Sequence, residues 1–217
     1  MNLEPIYEDN HQIVFNKPSG LLTQPSGTEQ DSLEAIAKHW IKEKYKKPGN
    51  VFLEAVHRID KPVSGIVLFA RTSKALTRLN ESIRDKKSKK TYLTLVEGIV
   101  KTDNAVLEHY LIHDDFHASI SSPADPQAKI ARLHYNVVKH YATCTLLEIA
   151  LETGRYHQIR VQLAAIGHPI LGDVKYGSTI PFAVGKIALH HSQLVIPHPV
   201  TGAMQHFVAS TDFVEEN

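Results

Sequence analysis

The chain of 217 residues contains a single cysteine, Cys144, which excludes an internal disulfide bond and a cysteine-rich zinc site. Its neighbours, ATCTLLEIAL, predict a buried strand, in which the thiol belongs to the core and is not a nucleophile. No apolar run is long enough to cross a bilayer as a helix, and the first residues, MNLEPIYEDN, lack the apolar segment of a secretory signal. We therefore expect a reduced, cytoplasmic protein without a membrane segment.

Net charge is also nearly absent. At a formal +1, the total charge is not that of a typical nucleic-acid-binding protein. The basic residues are nevertheless clustered in two places, because residues 42–47 contain four lysines and residues 84–90 read RDKKSKK. Such runs are often solvated helix ends, and they are equally consistent with contacts to a local anionic partner.

Several common functional motifs are missing. The chain has no phosphate-binding G-x-x-x-x-G-K-[ST] loop, no G-x-G-x-x-G turn and no G-x-S-x-G nucleophile elbow. The 14 histidines are scattered. His190 and His191 are adjacent and would point to opposite faces of a strand, while His109 and His113 lie in a segment that does not have a helical pattern. We therefore expect neither a cofactor nor a catalytic metal.

The pattern of apolar residues predicts more strands than helices, mostly in runs, and hence an α+β fold. Strands are predicted near residues 12–16, 65–71, 90–98, 132–140, 144–151, 188–194 and 205–208, and helices near 31–47, 74–85 and 154–167. The polar stretch 103–130 predicts loops and a hairpin. Asp31 and Glu34 form a plausible capping pair for the first helix. No linker or repeat divides the chain, so residues 1–217 are predicted to form one catalytic domain.

Most of the remaining chemistry centres on an acid among cations and aromatic side chains. Asp60 follows Arg58 in the stretch HRIDKPVSG, Tyr92 lies on a predicted strand, and His157 and Arg160 share one face of a predicted helix. A guanidinium group does not lose its proton in proteins, so Arg160 could keep Asp60 ionised even in a partly dry pocket. Each residue alone also has a purely structural interpretation, and it is the combination that favours a functional site.

Four ordered motifs resemble those of the RluA family of pseudouridine synthases. They are VFNKPSGLL (14–22), HRIDKPVSG (57–65), KKTYLTLVEG (89–98) and GRYHQIRVQLAAIGHPILGDVKYG (154–177). The resemblance implies the catalytic fold of that family, a long, bent, mainly antiparallel mixed sheet flanked by helices, with a central RNA-binding cleft. Because the first motif begins so near Met1, we expect no N-terminal S4 module.

The same resemblance implies roles for individual residues. Asp60 matches the catalytic aspartate, which acts as a nucleophile on the target uridine. Arg160 matches the arginine that pairs with it, and Tyr92 the tyrosine that packs against the base and takes part in proton transfer. Arg58 matches an arginine that fills the space left by the flipped nucleotide. Leu189 falls where the family has a segment that lines the pocket.

Partners follow from the resemblance as well. We expect the chain to act on a structured stem-loop of rRNA or tRNA, as a monomer and without a cofactor or metal. His157 and the lysines of the second basic cluster, Lys86, Lys87 and Lys89, are candidate RNA or substrate contacts.

Two other functions remain open from the sequence. One is a non-catalytic RNA-binding or RNA-chaperone protein on the same fold. The other is a hydrolase that uses Asp60 as the nucleophile of a retaining glycosidase, which normally requires a second carboxylate as the acid. The motifs offer only Asp173 for that role, and its position after Gly172 is more typical of a turn residue.

Overall fold

The computed structural model describes residues 4–27, 30–114, 116–211 and 213. The described chain divides into two compact units, one within residues 1–89 and 191–217 and the other within residues 90–190. Strands outnumber helices in the described parts of both units. Each pair of strands for which the register of paired residues is defined is antiparallel. The α+β class is therefore confirmed, whereas the single catalytic domain over residues 1–217 stays a prediction.

The sheet of the first unit follows the order β1, β2, β4, β10, with β3 paired to β4 and β11 paired to β10. These strands are β1 (Pro5–Glu8), β2 (Gln12–Lys17), β3 (Glu54–Ala55), β4 (Ser64–Ala70), most of β10 (Leu189–Pro197) and β11 (Met204–Val208). Val14 lies opposite Leu68 in the antiparallel pair of β2 and β4. Both side chains are completely buried in an apolar core that also contains Leu194 and Phe207.

Two helices belong to the first unit, α1 (Leu33–Lys44) and α2 (Ser73–Arg84). Ser32, and not Asp31, caps α1, because its hydroxyl accepts a hydrogen bond from the Ala35 N–H at 3.2 Å. Glu34 instead binds Lys38 one turn later, at 2.7 Å. In the described parts of the chain, no helix is long and apolar enough to span a membrane.

The second unit has the strand order β5, β9, β8, β6, β7. Its elements are β5 (Lys89–Glu97), β6 (Asn104–His113), β7 (Ala118–Ser121), β8 (Lys129–His140), β9 (Cys144–Leu151) and α3 (Gln158–Ala165), followed by a 3₁₀ turn over Val174–Tyr176. The predicted hairpin within residues 103–130 is confirmed, but most of the predicted loop is strand β6. In this strand Leu107 and Leu111, four residues apart, are buried on the same face.

The strand predicted around Cys144 is confirmed, but the predicted core position of its thiol is wrong. Cys144 is the first residue of β9, opposite Glu97, and its side chain is only partly buried. Partial burial still raises the pKa of the thiol, which disfavours the reactive thiolate.

Candidate active site

Asp60 lies in the loop that precedes β4, in the first unit. Its backbone carbonyl accepts a hydrogen bond from the Val63 N–H at 3.0 Å, which closes a tight turn. Arg58 is exposed, Ile59 is 7% exposed and Asp60 is partly exposed. Ile59 therefore anchors the loop in the core, while a charged side chain reaches solvent on either side of it.

Gly20 of the first motif and Thr23, which directly follows that motif, hold this loop in place. The Thr23 hydroxyl donates to the Ile59 carbonyl at 2.8 Å and accepts from the Ile59 N–H at 3.3 Å. The Gly20 N–H donates to the Lys61 carbonyl at 2.7 Å. The backbone on both sides of Asp60 is thus fixed by the loop that follows β2, which explains why the NKPSG and HRID stretches occur together.

Lys17 is a functional candidate that sequence reasoning missed. It is completely buried, and its ammonium group donates to the carbonyl oxygens of Leu21 at 2.7 Å and Pro18 at 3.0 Å, with a longer contact to Lys61 at 3.4 Å. Burial lowers the pKa of Lys17 to about 7, while the negative charge of Asp60 acts in the opposite direction. Lys17 is therefore a buried titratable amine whose charge is coupled to that of Asp60, and its place in the first motif was the available signal.

Gly65 starts the buried part of β4 and cannot be replaced without movement. Its φ angle is +116°, and an added Cβ atom would lie 2.4 Å from the His191 carbonyl oxygen. The His191 ring in turn contacts the Ile66 carbonyl through Nδ1 at 2.7 Å. The glycine of HRIDKPVSG thus permits the close approach of β4 and β10 immediately after the Asp60 loop.

In the second unit, Tyr92 lies on β5 opposite Ile149 and is 7% exposed. The predicted alternation along this strand is confirmed for one face, because Tyr92, Thr94 and Val96 are all buried. Leu189, the first residue of β10, is 4% exposed. Burial of both side chains is compatible with a pocket lining, and their roles toward a substrate stay predictions.

Arg160 forms a buried ion pair with Asp173. Nε donates to Oδ2 at 2.7 Å and Nη2 donates to Oδ1 at 2.8 Å. The interpretation of Asp173 as a turn residue is incomplete. Its carbonyl does accept from the Tyr176 N–H in the 3₁₀ turn, but both oxygens of its carboxylate bind Arg160. The motif GHPILGD contained this acid, yet nothing in its spacing indicated the partner.

His157 supports Arg160 from a second side, which confirms that these residues share a face. Its backbone has a left-handed φ of 50°, which places Nε2 3.0 Å from Arg160 Nη1 and Nδ1 2.8 Å from the Tyr176 hydroxyl. Because arginine can only donate, Nε2 accepts, and the neutral ring carries its proton on Nδ1 and donates it to Tyr176. Burial, and next the Arg160 charge, lowers the pKa of His157 to about 3.

Tyr176 completes the surroundings of Arg160, and sequence reasoning missed it. The guanidinium carbon lies 5.0 Å from the centre of its ring, a favourable cation–π distance. Its hydroxyl also accepts from the Ala118 N–H at 2.9 Å. Asp173, His157 and Tyr176 thus hold the guanidinium group of Arg160 from three sides.

The basic clusters lie on exposed segments of the first unit. Lys86, Lys87 and Lys89 are exposed, and Lys87 pairs with Asp85 at 3.2 Å. In the other cluster, Lys44 binds Glu8 at 2.6 Å, so part of its positive charge is offset. Their contacts with RNA stay predictions.

The candidate residues therefore fall in both units. Those of the first are Arg58, Asp60, Lys86, Lys87 and Lys89, and those of the second are Tyr92, His157, Arg160 and Leu189. Within the units, the structure brings Lys17 near Asp60 and His157 against Arg160. The pairing of Asp60 with Arg160 stays a prediction. Among the described residues, no three His, Cys, Asp or Glu side chains are grouped as a metal ion would require.

Comparison with known proteins identifies the class. The family model described as RNA pseudouridylate synthase matches residues 11–165, well over half of the chain. The chain therefore belongs to the RNA pseudouridylate synthase family, whose members are isomerases that convert uridine in RNA to pseudouridine.

Sequence relatives refine this to the RluA type. The chain is 34% identical to the dual-specificity RNA pseudouridine synthase RluA of Haemophilus influenzae, over 97% of its own length and 94% of that protein. It is 33% identical to the ribosomal large subunit pseudouridine synthase C of Buchnera aphidicola, over 98% of its length. The chain spans 59% to 68% of the length of the type C and type D synthases that it matches.

A solved structure supports the fold assignment. The chain superimposes on human RNA Pseudouridylate Synthase Domain Containing 4 with a TM-score of 0.81 and 21% identity, covering 96% of this chain and 88% of the other. At that identity the likeness shows the fold, and the predicted pseudouridine synthase fold is confirmed.

Proposed function

We propose that this chain isomerises specific uridines in rRNA or tRNA, with Asp60 as the nucleophile. The observation that carries the proposal, beyond family membership, is the construction of the Asp60 loop. A partly exposed carboxylate lies on a backbone that Thr23 and Gly20 hold by hydrogen bonds, and its charge interacts with the buried amine of Lys17. A carboxylate held in a fixed position can act as a nucleophile that forms a covalent intermediate.

The reaction exchanges one bond to the sugar for another. Asp60 attacks the uridine at C1′ or at C6, or removes the C2′ proton on a route through a glycal. On each route the bond from C1′ to N1 breaks, the uracil rotates, and a bond from C1′ to C5 forms. The proton on C5 is lost and N1 gains one, so the product is an isomer of the substrate, and no cofactor is consumed.

Arg160 stabilises negative charge in this mechanism. Its positive charge would keep Asp60 ionised and stabilise negative charge on the detached uracil. A guanidinium already held on three sides by Asp173, His157 and Tyr176 needs little reorganisation when that charge develops. Such preorganisation is the main source of electrostatic catalysis.

Tyr92, Leu189 and Arg58 act on the base and its neighbours. The buried ring of Tyr92 and the side chain of Leu189 enclose the pyrimidine. Because stacking on an aromatic ring does not fix one in-plane orientation, the uracil can rotate while it is held there. The exposed Arg58 enters the RNA helix and fills the space of the flipped uridine, which offsets part of the unstacking cost of a few kcal/mol.

The RNA is a structured stem-loop, and the chain acts on it as a cytoplasmic monomer. Two relatives support this range of targets, since one is named a dual-specificity RNA pseudouridine synthase and the other a ribosomal large subunit pseudouridine synthase. The exposed Lys86, Lys87 and Lys89 contact phosphates, which contributes affinity and register without reading the base sequence.

Carbodiimide primer extension on rRNA and tRNA tests this proposal in cells. We expect at least one pseudouridine stop to disappear in a strain that lacks the gene, to return with the wild-type gene and to stay absent with Asp60→Ala. An unchanged pseudouridine map in the deletion strain would contradict the activity. Return of the stop with Asp60→Ala would contradict the role of Asp60 as nucleophile and would instead favour the non-catalytic RNA-binding alternative.

A further inference from the structure

Four aromatic or imidazole rings lie exposed on the second unit, and no role has yet been assigned to them. Phe116 and His117 lie on the turn between β6 and β7, His113 ends β6, and Tyr156 precedes α3. Phe116 is 74% exposed and Tyr156 is 38% exposed. We call these four residues the aromatic patch. Single exposed apolar side chains are ordinary, but a group of rings is not.

Hydrogen bonds hold the backbone of Phe116 and His117. One carboxylate oxygen of Asp114 accepts the N–H groups of Phe116 at 2.9 Å and His117 at 2.7 Å. The Asp114 N–H donates to the His117 carbonyl at 3.0 Å, and Lys175 binds the Phe116 carbonyl at 2.5 Å. The fold thus fixes the backbone of a phenylalanine whose ring remains in solvent, so the exposure of this ring has no explanation in packing.

The patch is connected to the surroundings of Arg160 by stacked rings. Tyr156 stacks on His157, with ring centres 3.9 Å apart and planes 18° from parallel, and His113 lies 5.4 Å from Tyr156. His117 stacks on Tyr176 with ring centres 4.8 Å apart. His157 and Tyr176 are the residues that contact Arg160. A molecule bound to the patch therefore lies beside the candidate site.

We propose that the aromatic patch binds unpaired RNA nucleotides next to the target uridine by stacking on their bases. This inference rests on the proposed function, because flipping a uridine out of its stack leaves neighbouring bases unpaired. Aromatic rings bind any base by its face, and the modules that read single-stranded RNA use exposed rings in this way.

Charge favours RNA over a protein partner for this surface. Arg155 and Lys175, which are exposed next to Tyr156 and Tyr176 in sequence, supply positive charge for the adjoining phosphates. The carboxylate of Asp114 accepts backbone N–H groups of its own turn and nearby cations, with these bonds, lower its pKa. The carboxylate oxygen that accepts these bonds is therefore engaged within its own turn.

Photocrosslinking and binding measurements test the patch directly. The probe is a short, mixed-sequence, single-stranded RNA that carries iodocytidine, a base that cannot be isomerised as uridine is, compared with a fully paired duplex of the same sequence. We expect crosslinks to Phe116 or Tyr156 in the wild-type protein. Phe116→Ala and Tyr156→Ala should each weaken single-strand binding about fivefold or more, because stacking contributes about 1–3 kcal/mol per base.

Matched variants show whether the ring or the fold is responsible. Phe116→Trp and Tyr156→Phe keep a ring and should restore binding, and Tyr141→Ala removes an aromatic ring from a different turn of the same unit and should change binding less than twofold. Equal single-strand affinity for wild type, Phe116→Ala and Tyr156→Ala would overturn the proposal. So would a loss of self-association in Phe116→Ala with RNA binding unchanged, since the patch would then bind a second copy of the chain.

The outcomes also separate this inference from the proposed function. If the wild-type protein crosslinks through the patch but forms no pseudouridine, the patch stands and the catalytic proposal fails. If pseudouridine forms with unchanged kcat and KM in both alanine variants, the catalytic proposal stands and the patch fails.

Discussion

Arg160 and Asp173, 13 residues apart in the chain, form a buried two-point ion pair in which Nε and Nη2 each donate to one carboxylate oxygen, at 2.7 and 2.8 Å. Their side chains are 6% and 1% exposed. Such a pair adds little net stability compared with apolar side chains, but the loss of one partner is costly because the other charge stays buried. The pair therefore fixes the orientation of Arg160.

Replacing the acid of this pair should destabilise the protein strongly. Asp173→Asn keeps the shape of the side chain and removes its charge, so we expect the free energy of unfolding to fall by about 3 kcal/mol. Urea unfolding measures this loss in the free energy of unfolding. Asp85→Asn is the matched control, since Asp85 pairs with Lys87 on the surface, and an exposed pair contributes less than about 1 kcal/mol. Similar losses in the two variants would contradict the role of the pair.

His157 should make stability depend on pH. Its pKa is lowered to about 3 from 6.5, so the unfolded chain takes up this proton first as the pH falls. Stability is therefore lost progressively from 6.5 down to about 3. His157→Asn removes the titration and tolerates the left-handed backbone.

The midpoint of urea unfolding, measured over that pH window, checks this expectation. It should fall less steeply in His157→Asn than in the wild-type protein, while His206→Asn, which removes a histidine from the other unit, should follow the wild type. Parallel pH curves for His157→Asn and wild type would show that His157 is not held neutral by burial and Arg160.

Lys17 should produce a second window of the same sign, at higher pH. With its pKa lowered to about 7 from 10.5, the unfolded chain binds more protons between those values, so stability rises with pH across that range. We expect the free energy of unfolding of wild type minus that of Lys17→Met to increase by about 1.4 kcal/mol per pH unit there. Lys61→Met, which changes an exposed lysine near the same loop, should give a constant difference. A constant difference for Lys17→Met would show that its amine is not perturbed.

Much of this structure was predictable because the signals were local. Alternating residues identified β5, a largely apolar run identified β9, the spacing of His157 and Arg160 placed them on one face, and four ordered motifs identified the family. Residues 104–113 were harder, because only Leu107 and Leu111 of this strand are buried, and burial of every fourth residue is a weak signal of a strand.

The contacts of the candidate site were not predictable in the same way. The ion pair of Arg160 with Asp173 and the hydrogen bond of His157 to Tyr176 depend on how a helix meets a later turn. Lys17 belongs to the first motif, but no sequence pattern indicates that its amine is buried among backbone carbonyls. Tertiary packing determines such contacts, whereas composition and spacing determine which residue types are available.

The central claim is that Asp60 carries out the isomerisation, and tritium release from RNA labelled at uracil C5 tests it most directly. Forming the bond from C1′ to C5 displaces the C5 hydrogen, so wild-type protein should release tritium in proportion to pseudouridine formed. Asp60→Ala should release none above background while it still binds RNA, and Asp103→Ala, an exposed aspartate of the second unit, should match the wild type. Equal release by wild type and Asp60→Ala would contradict the account.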